Sequence, residues 1–309
     1  MREAGLDTSG LSHGTRTRPA RTVQQALRSA TRRLTAAKLH YGQGTARPVD
    51  DAAALLAHAL RLTRPLGERD LPRTLSAAAE ARFNDLLQRR IHERIPAVYL
   101  TQRSWFAGLP MHVDPRALVP RSPIAELIEA RFSPWIDPAR VRNILDVGTG
   151  GGCIAIACAV AFPRARVDAA DISPEALAVA RINRRLNGVQ RRVRLLESNY
   201  FSALGQAHYD IIVSNPPYVG DAEYRSLPAE YAHEPSGALQ SGRDGMDAVR
   251  VLLREAASHL RPEGVLIVEV GNTDVRVRRE YPRLPFVWLE FARGGGGVFV
   301  LTAEQLQRA

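Results

Sequence analysis

Beyond Val141 the chain alternates short apolar runs with longer amphipathic ones, and this alternation restricts the fold more than any other feature of the sequence. Strands are predicted over residues 143–147, 166–172, 193–197, 210–214 and 265–270, with helical stretches over 153–162, 174–187 and 244–260 between most of them. Ile211-Ile212-Val213 and Val265-Leu266-Ile267-Val268 are apolar throughout, the pattern of strands covered on both faces. Such alternation predicts a doubly wound α/β sheet. Near the end, residues 286–291 and 298–302 flank a run of glycines from Gly294 to Gly297, which predicts a closing antiparallel hairpin and so a mixed sheet.

The first third reads differently. Residues 22–95 carry three helical patterns. One runs from Val23 to Leu39, one starts at Asp50-Asp51, and one starts at Ser76 and lays Phe83, Leu86, Leu87 and Ile91 on one stripe before Pro96 stops it. They predict a small helical domain over 21–96. Val98-Tyr99-Leu100 and Met111-His112-Val113, around Gly108-Leu109-Pro110, predict a β-hairpin linker over 97–120. Pro123 opens a helix reaching Phe132, and the α/β domain spans 121–309. Residues 1–20 have no apolar stretch and read as a disordered tail, with a mitochondrial presequence as the alternative. No apolar run approaches the ~18 residues of a membrane span. Cys153 and Cys158, five apart on one helix, are neither a disulfide framework nor a metal site, and the 8 histidines show no ligand spacing. No metal is expected, and the expected location is the cytoplasm.

Function first shows where Ile144-Leu145-Asp146-Val147 runs into Gly148-Thr149-Gly150-Gly151-Gly152 and then a helix. Glycines at alternate positions let the backbone turn tightly and meet a ligand with no Cβ between, and the helix start offers free N–H groups. The dinucleotide fingerprint is G-x-G-x-x-G. Here it is G-x-G-x-G behind an acid, which suits a ligand without pyrophosphate whose amino-acid end meets Asp146. Asp171, closing the next strand, can accept both ribose hydroxyls, or it can cap the helix ahead of Ser173-Pro174. Asn199 and Tyr200, after the third strand, offer a hydrogen-bonding side chain and an aromatic face for adenine. Together they predict a cofactor site of Asp146, Gly148, Thr149, Gly150, Gly152, Asp171, Asn199, Tyr200 and Asn215. The order resembles class I S-adenosylmethionine-dependent methyltransferases over residues 141–302.

The fourth strand runs into Asn215-Pro216-Pro217-Tyr218. The prolines stiffen the turn and supply carbonyls without N–H donors. The Asn215 side-chain oxygen and the Pro216 carbonyl can both accept from one planar –NH2, and the Tyr218 ring can lie on its flat face. An amide nitrogen is a poor nucleophile, because its lone pair is delocalised. Two acceptors on its hydrogens raise its electron density, and fixed geometry lowers the barrier further. Asn215, Pro216, Pro217 and Tyr218 are therefore the expected catalytic set.

Asn-Pro-Pro-Tyr serves both glutamine and adenine-N6 methyltransferases. From about residue 22 to 307 the chain resembles the HemK/Prm family of protein-glutamine N-methyltransferases. The resemblance is carried by Ala97-Val98-Tyr99-Leu100, Trp105-Phe106-Ala107-Gly108-Leu109, Leu118-Val119-Pro120-Arg121, Glu234-Pro235, Ala238-Leu239 and Gly242-Arg243-Asp244-Gly245-Met246-Asp247. It implies S-adenosyl-L-methionine as cofactor, a helical substrate-recognition domain and a glutamine side-chain amide as acceptor. Release-factor enzymes of the family usually continue Pro-Arg with Pro-x-Thr-Glu. Here Ser122-Pro123-Ile124-Ala125-Glu126 follows, and the end reads Gly297-Val298-Phe299-Val300-Leu301-Thr302. Both resemble the branch acting on large-subunit ribosomal protein L-three. Asn199 stands where the family often has Asp, Gly151 where Ser or Thr is frequent, and Gly296 where a polar residue is common.

The formal charge is +10, nearly all of it arginine, with Lys38 the only lysine. That excess fits a polyanionic partner, ribosomal RNA phosphate on a pre-ribosomal particle, and equally the codon usage of a GC-rich genome. A protein substrate, no membrane and a monomeric state are expected. The readings left open are a release-factor enzyme, an adenine-N6 methyltransferase, and a ribosome-assembly protein that binds without catalysis.

Overall fold

In the computed structural model residues 21–308 are described, so the tail expected over 1–20 lies outside them. The chain begins with α1 (Val23–Ala36), α2 (Pro48–Ala59) and α3 (Ala77–His92). Thr22 caps α1 in a reciprocal box with Gln25, and Ser76 caps α3. Val23, Ala26, Leu34, Leu55, Leu56, Phe83 and Leu87 form the core of this helical unit. α2 opens two residues before the predicted acids, with Pro48 at its start, where a missing N–H costs nothing.

The linker departs from expectation. Residues Ala97–Thr101 form a helix, α4, and the hairpin strands are β1 (Arg103–Phe106) and β2 (Leu109–His112). Every residue of α4 is buried, and a short run apolar on all sides does not reveal whether it is strand or helix. Its position settles the matter, since α4 packs under α2 and α3 and feeds the hairpin. The helix after Pro123 is also shorter than expected. α5 (Ile124–Glu129) ends where Arg131 and Phe132 take positive φ, turning the fully buried Phe132 ring into the core.

The remainder is the α/β unit. Its elements are β3 (Asn143–Val147), α6 (Cys153–Ala161), β4 (Arg166–Asp171), α7 (Pro174–Leu186), β5 (Val193–Glu197), β6 (Tyr209–Ser214), α8 (Asp221–Tyr224), α9 (Asp247–Glu255), β7 (Leu260–Glu269), α10 (Asp274–Glu280), β8 (Val287–Leu289), β9 (Val298–Thr302) and α11 (Ala303–Gln307). The sheet order is β5-β4-β3-β6-β7-β9-β8. β9 runs antiparallel to both neighbours, so the predicted closing hairpin is present and the sheet is mixed. Ile211, Ile212, Val213 and Val265 to Val268 are all essentially inaccessible, as expected for strands covered on both faces. Cys153 and Cys158 are free thiols on α6, both held protonated by burial. No helix among the described residues is long and apolar enough to cross a membrane.

Candidate active site

The first strand of the unit, β3, lies at mid-sheet. The chain winds outward through β4 and β5, then returns to β6 on the other side. Such a reversal leaves a crevice outside the carboxyl ends of the strands, and a cleft of about 520 Å³ opens there. Four successive strand ends supply its walls. Gly148 and Gly150 follow β3, Asp171 ends β4, Asn199 and Tyr200 follow β5, and Asn215, Pro216 and Pro217 follow β6. Eight of the residues singled out in the sequence thus meet in one cavity.

The glycine loop is held by backbone bonds. Gly148 and Thr149 N–H groups donate to the Ala170 carbonyl at 2.8 and 3.0 Å, and Gly150 N–H donates to Asp171 Oδ2 at 2.7 Å. Gly148 and Gly150 have φ of +70° and +55°, a region that disfavours side chains. A Cβ at Gly148 would stand 3.9 Å from the Pro216 Cα, in the gap between the two loops. Asp171 Oδ1 accepts from Ser173 N–H, but the cap of α7 is the Ser173 hydroxyl. Each Asp171 oxygen therefore keeps a lone pair for a ligand, and burial raises its pKa.

Asp146, Thr149 and Gly152 do not line the cleft. Asp146 is fully buried, and its Oδ2 accepts from Thr149 Oγ1 at 2.6 Å and from Ala155 N–H at 3.0 Å. It ties the glycine loop to the first turn of α6, which occupies the Thr149 hydroxyl. Asp146 Oδ1 has no protein partner among the described residues. A Cβ at Gly152 would come within 3.1 Å of the Ala180 Cβ, so that glycine serves the packing of α6 on α7. Sequence reasoning passed over Asn183, which is buried on α7. Its amide bonds both main-chain groups of His112 and the Gly151 carbonyl, joining the hairpin to the loop.

On the other side, the buried Ser214 hydroxyl donates to the Val147 carbonyl at 2.7 Å and fixes the end of β6 against β3. The Asn215 amide donates to the Arg121 carbonyl at 3.5 Å, which leaves its oxygen as the free acceptor. Arg121 is clasped by both oxygens of the buried Glu234 at 2.5 and 2.7 Å. Gln43, between α1 and α2, donates to Glu234 as well, while Glu230 accepts from Arg94 and from the His40 N–H. The segment carrying Glu230 and Glu234 continues as Pro235, Ser236, Gly237, Ala238 and Gln240, a wall of the cleft. The helical unit is thus latched to the wall of the cleft through buried charge. Arg121 and Glu234 lie 113 positions apart, and nothing in the sequence signals their pairing.

Tyr218 does not line the cleft. Its ring lies on Gly271, where a Cβ would fall 2.6 Å from Cε2, and its hydroxyl donates to Glu269 Oε1 at 3.4 Å. Thr273 and Gly245 hold its carbonyl. The former donates at 2.8 Å, and a Cβ on the latter would reach to 2.4 Å. Gly245→Ala is accordingly expected to displace the Asn215 loop and lower kcat on the order of 10²-fold, the usual effect of a ~1 Å misplacement. Turnover with unchanged cofactor affinity checks this.

Burial raises the carboxyl pKa of Asp146 and of Glu269 to about 7. Each group binds a proton more tightly folded than unfolded. Its contribution is fully present below the ordinary carboxylate pKa and is lost as pH rises through about 7. Thermal scans from pH 5 to pH 8 should show Tm falling, with a smaller fall in Glu269→Gln. An equal fall in both proteins would remove Glu269 from the account.

The family described as Methyltransferase small domain matches residues 132–242, and that described as PrmC N-terminal domain matches residues 25–101. A ribosomal protein uL3 glutamine methyltransferase of Bordetella pertussis is 44% identical over 286 residues, 92% of this chain and 96% of that protein. One of Xanthomonas campestris is 44% identical over 92% of each chain. The hMettl16 catalytic domain, solved with the MAT2A 3'UTR hairpin 1, shares the fold at a TM-score of 0.53 and 13% identity, covering 82% of this chain and 91% of that one. The fold is that of a class I methyltransferase, a class that uses S-adenosylmethionine. Within that class, the chain belongs to the family of ribosomal protein uL3 glutamine methyltransferases.

Proposed function

We propose that the protein transfers the methyl group of S-adenosylmethionine to the side-chain amide nitrogen of a glutamine in ribosomal protein uL3. The observation that carries this reading is the placement of Asn215 and Pro216 on the same cleft as Gly148, Gly150 and Asp171. The residues present fit the cofactor. Asp171 offers a lone pair on each oxygen to vicinal hydroxyls, Asn199 and Tyr200 offer a polar group and a ring to a base, and the glycine loop leaves the space a Cβ would fill. Asp146, with its unpartnered Oδ1, supports that loop from beneath. When bound, the cofactor supplies a methyl group already activated by a sulfonium charge.

The protein's part is to hold the acceptor. The Asn215 oxygen and the Pro216 carbonyl each accept one N–H of the glutamine amide, which raises electron density on nitrogen and aims its lone pair at the methyl carbon. Tyr218 serves as a brace, with its ring and hydroxyl fixed outside the cleft. The proton lost on transfer goes to water. The helical unit presents the substrate, and the site of action is the cytoplasm, where ribosomal particles form. Arginine contacts to ribosomal RNA help seat the enzyme on such a particle.

Asp171→Ala should weaken S-adenosylmethionine binding by about 1.5–3 kcal/mol, the range for hydrogen bonds to a charged acceptor. An unaltered dissociation constant by calorimetry would detach Asp171 from the cofactor. The test of the function itself is transfer of radiolabelled methyl to ribosomal particles and release factors from a methyltransferase-deleted host. Label in uL3 supports the proposal. Label in a release factor keeps the chemistry and changes the substrate, and label in nucleic acid overturns the acceptor.

A further inference from the structure

The positive charge is not spread evenly. Residues 21–96 hold 14 Lys and Arg against 7 Asp and Glu, whereas residues 97–308 hold 25 against 23. Codon usage that favours arginine acts on the whole gene and does not confine the excess to the helical unit. Within that unit the acids are largely committed. Asp51 pairs with Arg90, Asp70 with Arg64 and Arg73, Glu80 with Arg21, Asp50 with Arg47 and Glu93 with Arg89.

Seven basic residues of the unit have no carboxylate partner among the described residues, and four of them, Arg28, Arg32, Arg33 and Lys38, lie on α1 or just after it, while Arg61, Arg69 and Arg82 stand apart. The helix contains no acidic residue, and Arg28, Arg32, Arg33 and the following Lys38 are exposed. None of the four has a carboxylate partner among the described residues. Arg28 and Arg32 stand at i,i+4, where like charges repel, so this arrangement does not serve the helix itself. The opposite face, Val23, Ala26, Ala30 and Leu34, is buried in the core. At its carboxyl end α1 meets the latch, since Arg94 donates to the Lys38 carbonyl and pairs with Glu230, on the segment that continues into the cleft wall.

We infer that the outer face of α1 is a docking surface for an RNA phosphate backbone, through which the enzyme engages ribosomal RNA next to its protein substrate. Guanidinium groups suit this partner, because they bind phosphate oxygens in pairs. The exposed Gln24 and Thr35 beside them add neutral hydrogen-bonding groups. The inference deepens the proposed function and rests on a ribosomal substrate. It differs from that reading in being measurable without methyl transfer.

The test compares the full chain with Arg28→Gln/Arg32→Gln/Arg33→Gln and with a control that removes equal charge at the far end of the sheet, Arg164→Gln/Arg166→Gln/Arg191→Gln. Binding of a labelled large-subunit ribosomal RNA fragment is followed by anisotropy across a salt series. The α1 variant is expected to bind at least about tenfold more weakly at low salt, with a salt slope smaller by about 2–3, roughly one for each phosphate that is no longer neutralised. It should methylate free uL3 at the parental rate and act more slowly on particles that contain RNA. Equal RNA binding by parent and α1 variant overturns the inference, as does equal weakening in the control. A matching decline on free uL3 also overturns it, because the face would then meet protein. If no preparation methylates uL3, the proposed function fails while the RNA titration still decides this inference.

Discussion

Asn215→Ala is expected to reduce kcat by about 10²–10³-fold and to raise the dissociation constant of S-adenosylmethionine by a much smaller factor. Removing the side chain takes away an acceptor from an amide that is a weak nucleophile without it. It removes nothing from the ribose end of the cleft, where Asp171 stands. Asn215→Asp is a sharper probe. It keeps an acceptor oxygen but replaces the group that donates to the Arg121 carbonyl with one that repels it. Single-turnover transfer with calorimetric cofactor binding separates the two effects. Parental turnover in Asn215→Ala would falsify the assignment of this loop as the acceptor site.

Breaking the Arg121–Glu234 pair should produce a large loss of stability together with a loss of turnover. Glu234 has a fully buried side chain, whereas that of Arg121 is 26% exposed. Losing one partner of a buried pair typically costs about 3–5 kcal/mol, and the partial exposure of Arg121 favours the lower end. Arg121→Met should therefore lower Tm by on the order of 10 °C. The paired variant Arg121→Met/Glu234→Gln should recover part of that loss, because no unpaired charge is left inside. Arg121 is a positioning residue for Asn215, so kcat should also fall in the single variant at temperatures where it is fully folded. A single variant with parental Tm and kcat would show that the pair is incidental.

The sites most legible in the sequence were those written into consecutive residues. Gly148 to Gly152 and Asn215 to Tyr218 each follow a strand, and strand-end loops at a topological switch point line the crevice whatever else the chain does. Asp171, Asn199 and Tyr200 reach the cleft for the same reason. The roles inside each motif were less legible. Asp146, Thr149, Gly152 and Tyr218 belong to the motifs yet stand behind the cleft, because a loop that meets a ligand with its backbone must be braced from the other side. Residues 97–101 misled because burial on every face erases periodicity.

The sequence by itself determined the alternation of strands and helices beyond Val141, the glycine loop after β3, the proline-stiffened loop after β6 and the family, because those are properties of neighbours along the chain. Only the tertiary structure decided that Arg121 meets Glu234, that Gln43 and Glu230 fasten the helical unit to the cleft wall, and that Asn183 joins the hairpin to the glycine loop. Each of these interactions joins residues far apart in the chain through isolated polar side chains. Such a side chain carries no periodicity and announces its partner only once burial has removed water as the alternative.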